Sequence, residues 1–262
     1  MSAVIPDPWD GLRALTPARI ALGRAGGSLP TAEWLGFSAA HAAARDAVWS
    51  ALDVDALAVG LEAVGLPIVR VRSQARDRTS YLQRPDLGRR LDPEDEAALG
   101  RTRASARDGC DLALIVADGL SATAAQRHAA PLVALLAPRL VARGLRIGPI
   151  VVAVQARVAL EDAVGAAMGA RAALILLGER PGLGSPDSLA AYLVFGPRVG
   201  RTDAERNCVS NIRPDGCPLA AAAELLEWLL VESLRRALSG VGLKDERGTI
   251  AAARPPPLLG PE

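Results

Sequence analysis

Three apolar runs dominate the second half of the chain: residues 110–117 (C-D-L-A-L-I-V-A), 149–154 and 172–177 (A-A-L-I-L-L). None alternates apolar with polar positions. Short continuous runs of this kind predict strands buried on both faces, as in a parallel sheet covered by helices. The segments between them read as helix. Residues 121–143 predict a long one, with Pro131 and Pro138 placed to kink or split it. Residues 159–168 predict a short one that ends near Gly169. Residues 189–195 fit a fourth strand. Residues 219–238 form a strongly apolar helix closed by Ser239-Gly240. Strand, helix, strand, helix, strand is the order of a parallel sheet with crossover helices.

The first hundred residues have a different texture. Thr16-Pro17 has the form of a helix start, a cap residue followed by proline, and Gly26-Gly27 interrupts the pattern. Thr31 is placed to cap an alanine-rich helix to about Leu52, and Asp55 a further helix that ends at Gly65. Residues 68–71 fit a short strand. Arg84-Pro85 breaks the pattern, and Asp92-Pro93 opens another helix to about Arg103. The fold expected is α/β: a mainly helical N-terminal region (1–104), a Rossmann-like domain with a mostly parallel sheet (105–247) and a flexible proline-rich tail (248–262).

Composition narrows the function. Thirty basic and 29 acidic residues leave a net charge of +1 over 262 residues, without the clustered positive charge that nucleic acid or anionic lipid requires. Eight aromatic residues are too few for a base-stacking platform. Lys244 is the only lysine, which argues against a P-loop or a Schiff base. Cys110, Cys208 and Cys217 contain no Cys-x-x-Cys pair, against structural zinc and a disulfide framework. Residues 1–10 have no signal-peptide layout, and no apolar run free of charge reaches the ~18 residues of a membrane span. A cytoplasmic protein is expected.

In open parallel sheets, ligands bind beyond the carboxyl ends of the strands. That rule selects the loops 118–121 (D-G-L-S), 155–158 (Q-A-R-V) and 178–184 (G-E-R-P-G-L-G). Familiar ligand motifs fail there. Gly182-Leu183-Gly184 begins a dinucleotide fingerprint, but Asp187 stands where its last glycine belongs. Asp118, Ser121 and His128 invite a hydrolase triad. Ser121 as a helix cap, with Asp118 at the positive helix end, is the better reading. His41, on an alanine-rich helix, is read as a structural histidine. The residues describe a ligand crevice without a catalytic constellation, as in a subunit that completes another chain's site.

The same loops sit inside longer strings: L-G-E-R-P-G-L-G (177–184), S-P-D-S-L (185–189), P-R-V-G-R-T (197–202) and D-A-E-R-N-C-V-S-N-I (203–212). Upstream stand Y-L-Q-R-P-D-L-G-R-R-L (81–91), A-D-G-L-S (117–121) and Q-A-R-V (155–158), and T-P-A-R-I-A-L-G-R-A-G lies at 16–26. Together, over residues 8–247, they resemble the small (light) subunit of ethanolamine ammonia-lyase. The resemblance implies an adenosylcobalamin-dependent lyase that converts ethanolamine to acetaldehyde and ammonia by radical chemistry. It implies cofactor held between this subunit and a barrel-fold large subunit, in a hetero-oligomer whose small subunit is inactive alone.

Carried over motif by motif, the resemblance implies three cobalamin contacts: Val158, Glu179 and Cys208. No catalytic residue and no metal ligand is implied on this chain. Glu179 suits the amide and hydroxyl hydrogens at the corrin periphery; the competing reading is an ion pair with Arg180 or Arg198. Val158 either packs on the cofactor or fills the core. Cys208 is read as a small buried apolar group. Arg157 is placed either toward the nucleotide phosphate or in an interface ion pair. Neither His41 nor His128 stands in Asp-x-His-x-x-Gly, so the cofactor is expected base-on. Some relatives carry an N-terminal extension directing them to a microcompartment; none is read here.

Overall fold

The computed structural model describes residues 4–105 and 109–247. The expected flexible tail, 248–262, lies outside them. A single six-stranded sheet runs in the order β1-β3-β2-β4-β5-β6, with β1 at Ile68–Arg72, β2 at Leu112–Ala117, β3 at Ile150–Val154, β4 at Ala172–Gly178, β5 at Leu189–Phe195 and β6 at Arg206–Ile212. Strands β1, β3, β2 and β4 are parallel. The β4–β5 and β5–β6 pairs are antiparallel. The sheet is therefore mixed, because the short connection after β4 carries no crossover helix and the chain must turn back on itself. Residues 206–212 form a strand that the polar sequence did not announce. Strand β1 pairs with β3 along its whole length, Ile68 beside Ile150 to Arg72 beside Val154, so the N-terminal hundred residues supply one sheet edge.

The helices are α1 (Thr31–Trp49), α2 (Val54–Glu62), α3 (Arg78–Gln83), α4 (Pro93–Ser105), α5 (Ala122–Ala124), α6 (Ala130–Ala142), α7 (Leu160–Met168) and α8 (Leu219–Arg236). Successive side chains of a strand alternate between faces, and here both faces are apolar. Leu112, Leu114, Val116, Leu174 and Leu176 pack with Leu61 of α2, Leu132 and Leu136 of α6 and Leu226 and Leu230 of α8. Ala113, Ile115, Ala117, Ile175 and Leu177 pack with Leu99 of α4 and Leu160, Val164 and Met168 of α7. Helix α7 spans nine residues and meets β6 through Glu161 and Asp162, which pair with Arg206.

Several local expectations are corrected. No helix starts at Thr16. A 3-10 turn occupies Asp10–Leu15, the Thr16 hydroxyl accepts from the Ala18 N–H (3.1 Å), and Ala21 and Gly23 take positive φ, which a helix excludes. Helix α1 begins at Thr31, after Pro30, and Asp53 rather than Asp55 caps α2, accepting from the Ala56 N–H (3.0 Å). Pro131 and Pro138 do not split their helix. Helix α5 runs through a widened π turn (Ala125–Ala129) into α6. Pro131 falls in the first turn of α6, where a missing N–H costs little, and Pro138 sits inside α6 without ending it.

Helix α1 buries only Ala47 among its 19 residues. Trp34, Leu35, Phe37 and Trp49 are exposed on it, as are Trp9 and Leu15 before it.

Candidate functional site

Strand β2 lies between β3 and β4, and the crossovers on its two sides pass over opposite faces of the sheet. The loops at the carboxyl ends of these strands diverge there and leave a crevice. Asp118, at the end of β2, ties the crevice together. It is buried, and its carboxylate accepts from the backbone N–H groups of Gly119 (2.9 Å), Gln155 (2.9 Å) and Ala156 (3.1 Å). Desolvation pushes its carboxyl above the usual range, against those amides and the nearby Arg78 guanidinium. Gln155 is held at φ 55°, rare for a side-chain-bearing residue; Asp118 takes its N–H and the Ser73 hydroxyl donates to its carbonyl (2.6 Å).

Two glycines let β2 and β4 close on each other. Gly119 has φ +58°, and a Cβ there would stand 2.2 Å from the Gly178 carbonyl oxygen. A Cβ on Gly178 would stand 2.0 Å from the Ser121 oxygen.

A pocket of about 180 Å³ opens at these strand ends. Leu120, Val158, Leu177, Glu179, Ala190 and Tyr192 line it, with Tyr81, Arg157, Gly178 and Arg180. The strand-end rule thus places Val158 and Glu179 on one cavity. The Glu179 carboxylate accepts through Oε2 from the Ser188 hydroxyl and from the Asn211 N–H (3.0 Å). Among the described residues its Oε1 has no hydrogen-bond partner. Glu179 makes no ion pair with Arg180 or Arg198 among the described residues, so that alternative falls away.

Cys208 lies on β6 directly opposite Tyr192 of β5, hence on the same sheet face, at the pocket's edge. It is exposed, not buried as the sequence reading had it, because β6 is an edge strand and α7 touches it only at Arg206, through Glu161 and Asp162. Desolvation by the strand face nevertheless raises both its thiol and the Tyr192 hydroxyl.

The hydrolase triad does not assemble. Ser121 Oγ accepts from the Ala124 N–H (3.2 Å) as a helix cap and donates to the Pro186 carbonyl (2.8 Å). His128 Nε2 lies 3.5 Å from Asp187. Residues 182–185 form a tight turn leading to β5, and no helix follows for a dinucleotide to bind. Among the described residues no three His, Cys, Asp or Glu side chains gather as metal ligands, and no helix is long and apolar enough to cross a membrane.

Tyr81 and Tyr192 were not singled out from the sequence, although they are the only tyrosines of the chain and both line the pocket. That scarcity was the available signal. Tyr81 is fully buried and donates to the Ala156 carbonyl (3.1 Å). The Arg78 and Arg157 guanidinium carbons sit 4.6 and 4.3 Å from its ring centre.

The family model for "Ethanolamine ammonia-lyase light chain (EutC)" matches residues 6–244. A protein of Azotobacter vinelandii, named ethanolamine ammonia-lyase small subunit, is 57% identical over 245 residues, covering 94% of this chain and 91% of the relative. Proteins of the same name from Ralstonia nicotianae (55% over 244 residues, 93% and 90%) and Pseudomonas syringae pv. tomato (50% over 245 residues, 94% and 85%) are also similar.

Proposed function

The chain belongs to the ethanolamine ammonia-lyase light chain family, and from that premise we propose that it supplies one wall of an adenosylcobalamin site whose other wall is a barrel-fold large subunit. The chemistry the cofactor supplies when bound is cobalt–carbon homolysis, which initiates the conversion of ethanolamine to acetaldehyde and ammonia. This chain binds and orients; substrate and reacting atoms belong to the partner. It is inactive alone and works in the cytoplasm.

One observation carries the reading. Val158 precedes α7, Glu179 follows β4 and Cys208 lies in β6, yet Val158 and Glu179 line one pocket and Cys208 pairs with Tyr192 of its lining. The residues suit the group. Leu177, Ala190 and Tyr192 form an apolar floor for a macrocycle edge, and the unpartnered Oε1 of Glu179 is an acceptor for a peripheral amide N–H. Ser188 and the Asn211 amide fix that carboxylate in place. His41 stacks near Phe37 on α1 and His128 lies beside Asp187. Neither is among the residues lining the pocket.

Two features argue for a partner. The pocket, about 180 Å³, falls below the roughly 300–1,000 Å³ of a site that encloses a ligand by itself. The exposed Trp34, Leu35, Phe37 and Trp49 of α1 make an apolar surface of the kind that marks interaction sites. Cys208 then becomes buried on assembly. A site sealed between two chains also keeps water from a radical.

The test is equilibrium cobalamin binding to the complex reassembled with the large subunit. Glu179→Ala removes a charge-assisted hydrogen bond and should weaken binding about tenfold or more. Unchanged affinity in Glu179→Ala and in Val158→Ala would leave this chain as a scaffold that caps the large subunit. Turnover by this chain alone would overturn the division of labour.

A further inference from the structure

A second pocket, of about 420 Å³, adjoins the first; Arg157 and Val158 line both. Its other walls are Pro85, Arg89, Ala159 and the turn Arg201–Asp203. One end of the combined groove is thus apolar and the other is rich in guanidinium groups. We propose that the Arg89–Arg157 end is a phosphate seat, and that its occupant is the phosphodiester in the nucleotide tail of the cobalamin. This rests on the cofactor reading above.

Arg157 is fixed in place. Its N–H donates to the Gly88 carbonyl (2.8 Å). Its side chain crosses Gly88 so closely that a Cβ on that glycine would stand 2.8 Å from Arg157 Cγ. The guanidinium lies on the Tyr81 ring and donates through Nη2 to the Tyr81 carbonyl (3.2 Å). Those contacts leave its charge unanswered: among the described residues no carboxylate lies within ion-pair distance, and its buried Nε has no hydrogen-bond partner. An arginine cannot shed its proton, and a partly buried cation without a counter-charge is costly unless a ligand supplies one.

Arg89 follows Gly88 directly and forms no ion pair among the described residues. The other cation of this pocket is already engaged. Arg201 is held by Glu205 and by the Phe195 and Gly196 carbonyls, whereas the Asp203 carboxylate, 94% exposed and 3.7 Å from Arg206 Nε, extends into solvent at the far wall. Two guanidinium groups without carboxylates, one of them rigid, match an anion with several acceptor oxygens. In base-on cobalamin the one fixed negative group lies in the tail beside the benzimidazole. The apolar neighbours Val158 and Ala159 would lie against that base.

The experiment measures dissociation constants, by absorbance titration, on the complex with the large subunit. Three corrinoids separate the phosphate from the rest: adenosylcobalamin, adenosylcobinamide phosphate and adenosylcobinamide, which has no phosphate. Arg89→Gln and Arg157→Gln should each weaken the first two about tenfold and leave adenosylcobinamide unchanged. Arg157→Lys, which keeps the charge, should recover part of the loss. Arg89 is exposed, so its replacement tests the seat without disturbing the fold. Equal losses for all three corrinoids, or none, would overturn the phosphate assignment. Inorganic phosphate that stabilises the corrinoid-free complex, alongside equal corrinoid losses, would assign the seat to a free anion. Glu179→Ala should weaken all three; if it weakens none, the cofactor reading itself fails, a result distinct from failure of the arginine variants alone.

Discussion

Replacing Arg206 by methionine tests how the edge of the site is held. The Arg206 side chain is 1% exposed. It donates to Glu161 Oε1 (2.6 Å) and to Asp162 Oδ1 (3.0 Å) and Oδ2 (2.7 Å). Glu161 and Asp162 lie in the first turn of α7, three residues beyond Val158 and Ala159 respectively, and Arg206 lies two before Cys208. The cluster therefore ties β6 to α7, between two of the proposed contacts. One buried cation faces two buried carboxylates. Desolvation pushes Glu161 well above the usual carboxylate range and Asp162 upward too, while Arg206 pulls both down. Removing one partner of a buried pair costs about 3–5 kcal/mol, a large share of a typical stability of about 5–15 kcal/mol. The pH dependence has a definite sign. Acids whose folded pKa is raised bind more protons folded than unfolded, so their penalty is absent below the unfolded value of 4.5 for Glu161 and grows as pH rises through the folded value. Without Arg206 both pKa values rise further and the window widens upward. Urea unfolding of the full chain should show Arg206→Met destabilised more at about pH 8 than at about pH 5. Adding Glu161→Gln should recover part of the loss at the higher pH. A loss under about 1 kcal/mol, or one greater in acid, would refute the argument.

Three further outcomes follow from the geometry. Gly119→Ala puts a Cβ 2.2 Å from the Gly178 oxygen at φ +58°, so thermal unfolding should show a loss well above the roughly 1–2 kcal/mol of left-handed strain alone; Gly65→Ala, at φ +75° with open space around it, should show the strain only. The Thr202 N–H and then Arg201 lower the Glu205 carboxyl to about 2; its stabilisation is therefore present above its ordinary 4.5 and lost as pH falls toward about 2, which a carboxyl NMR titration checks, with a normal midpoint refuting the cap. Iodoacetamide labelling followed by mass spectrometry should modify exposed Cys208 and spare buried Cys110 in the lone chain, slowly near neutral pH because the Cys208 thiol is raised; assembly with the large subunit and cobalamin should protect Cys208.

The parts of the fold legible in the sequence were those whose environment is uniform. Strands β2, β3 and β4 are apolar throughout because helices cover both faces, and continuous runs survive inspection without any knowledge of neighbours. Strand β6 reads R-N-C-V-S-N-I and is buried at only three of seven positions. Its place is set by pairing with β5 rather than by its own pattern, so it passed for a loop. Helix α3 escaped for a related reason. Its six residues carry no apolar stripe, and it owes its start to Asp77, which accepts from the Ser80 N–H (2.7 Å). In the other direction, the Thr16-Pro17 signal was genuine local chemistry that nearby positive-φ residues overrode.

The same physics explains which site residues could be anticipated. Val158 and Glu179 follow apolar strands, so a rule about strand ends reaches them without knowing the sheet order. Cys208 could be reached only by resemblance, because its position depends on two antiparallel pairings. Arg157 illustrates the remaining gap. Its neighbours in sequence, Ala156 and Val158, are uncharged and give no hint that its charge is unanswered. That fact emerges only when β3 brings it against Tyr81 and Gly88, more than sixty residues upstream. A chain that spends a buried arginine without a carboxylate has the same incompleteness as one that leaves a strand face bare and α1 uncovered. In the proposed assembly all three would become ordinary protein interior, and the isolated chain should then be the least stable form in which this sequence is encountered.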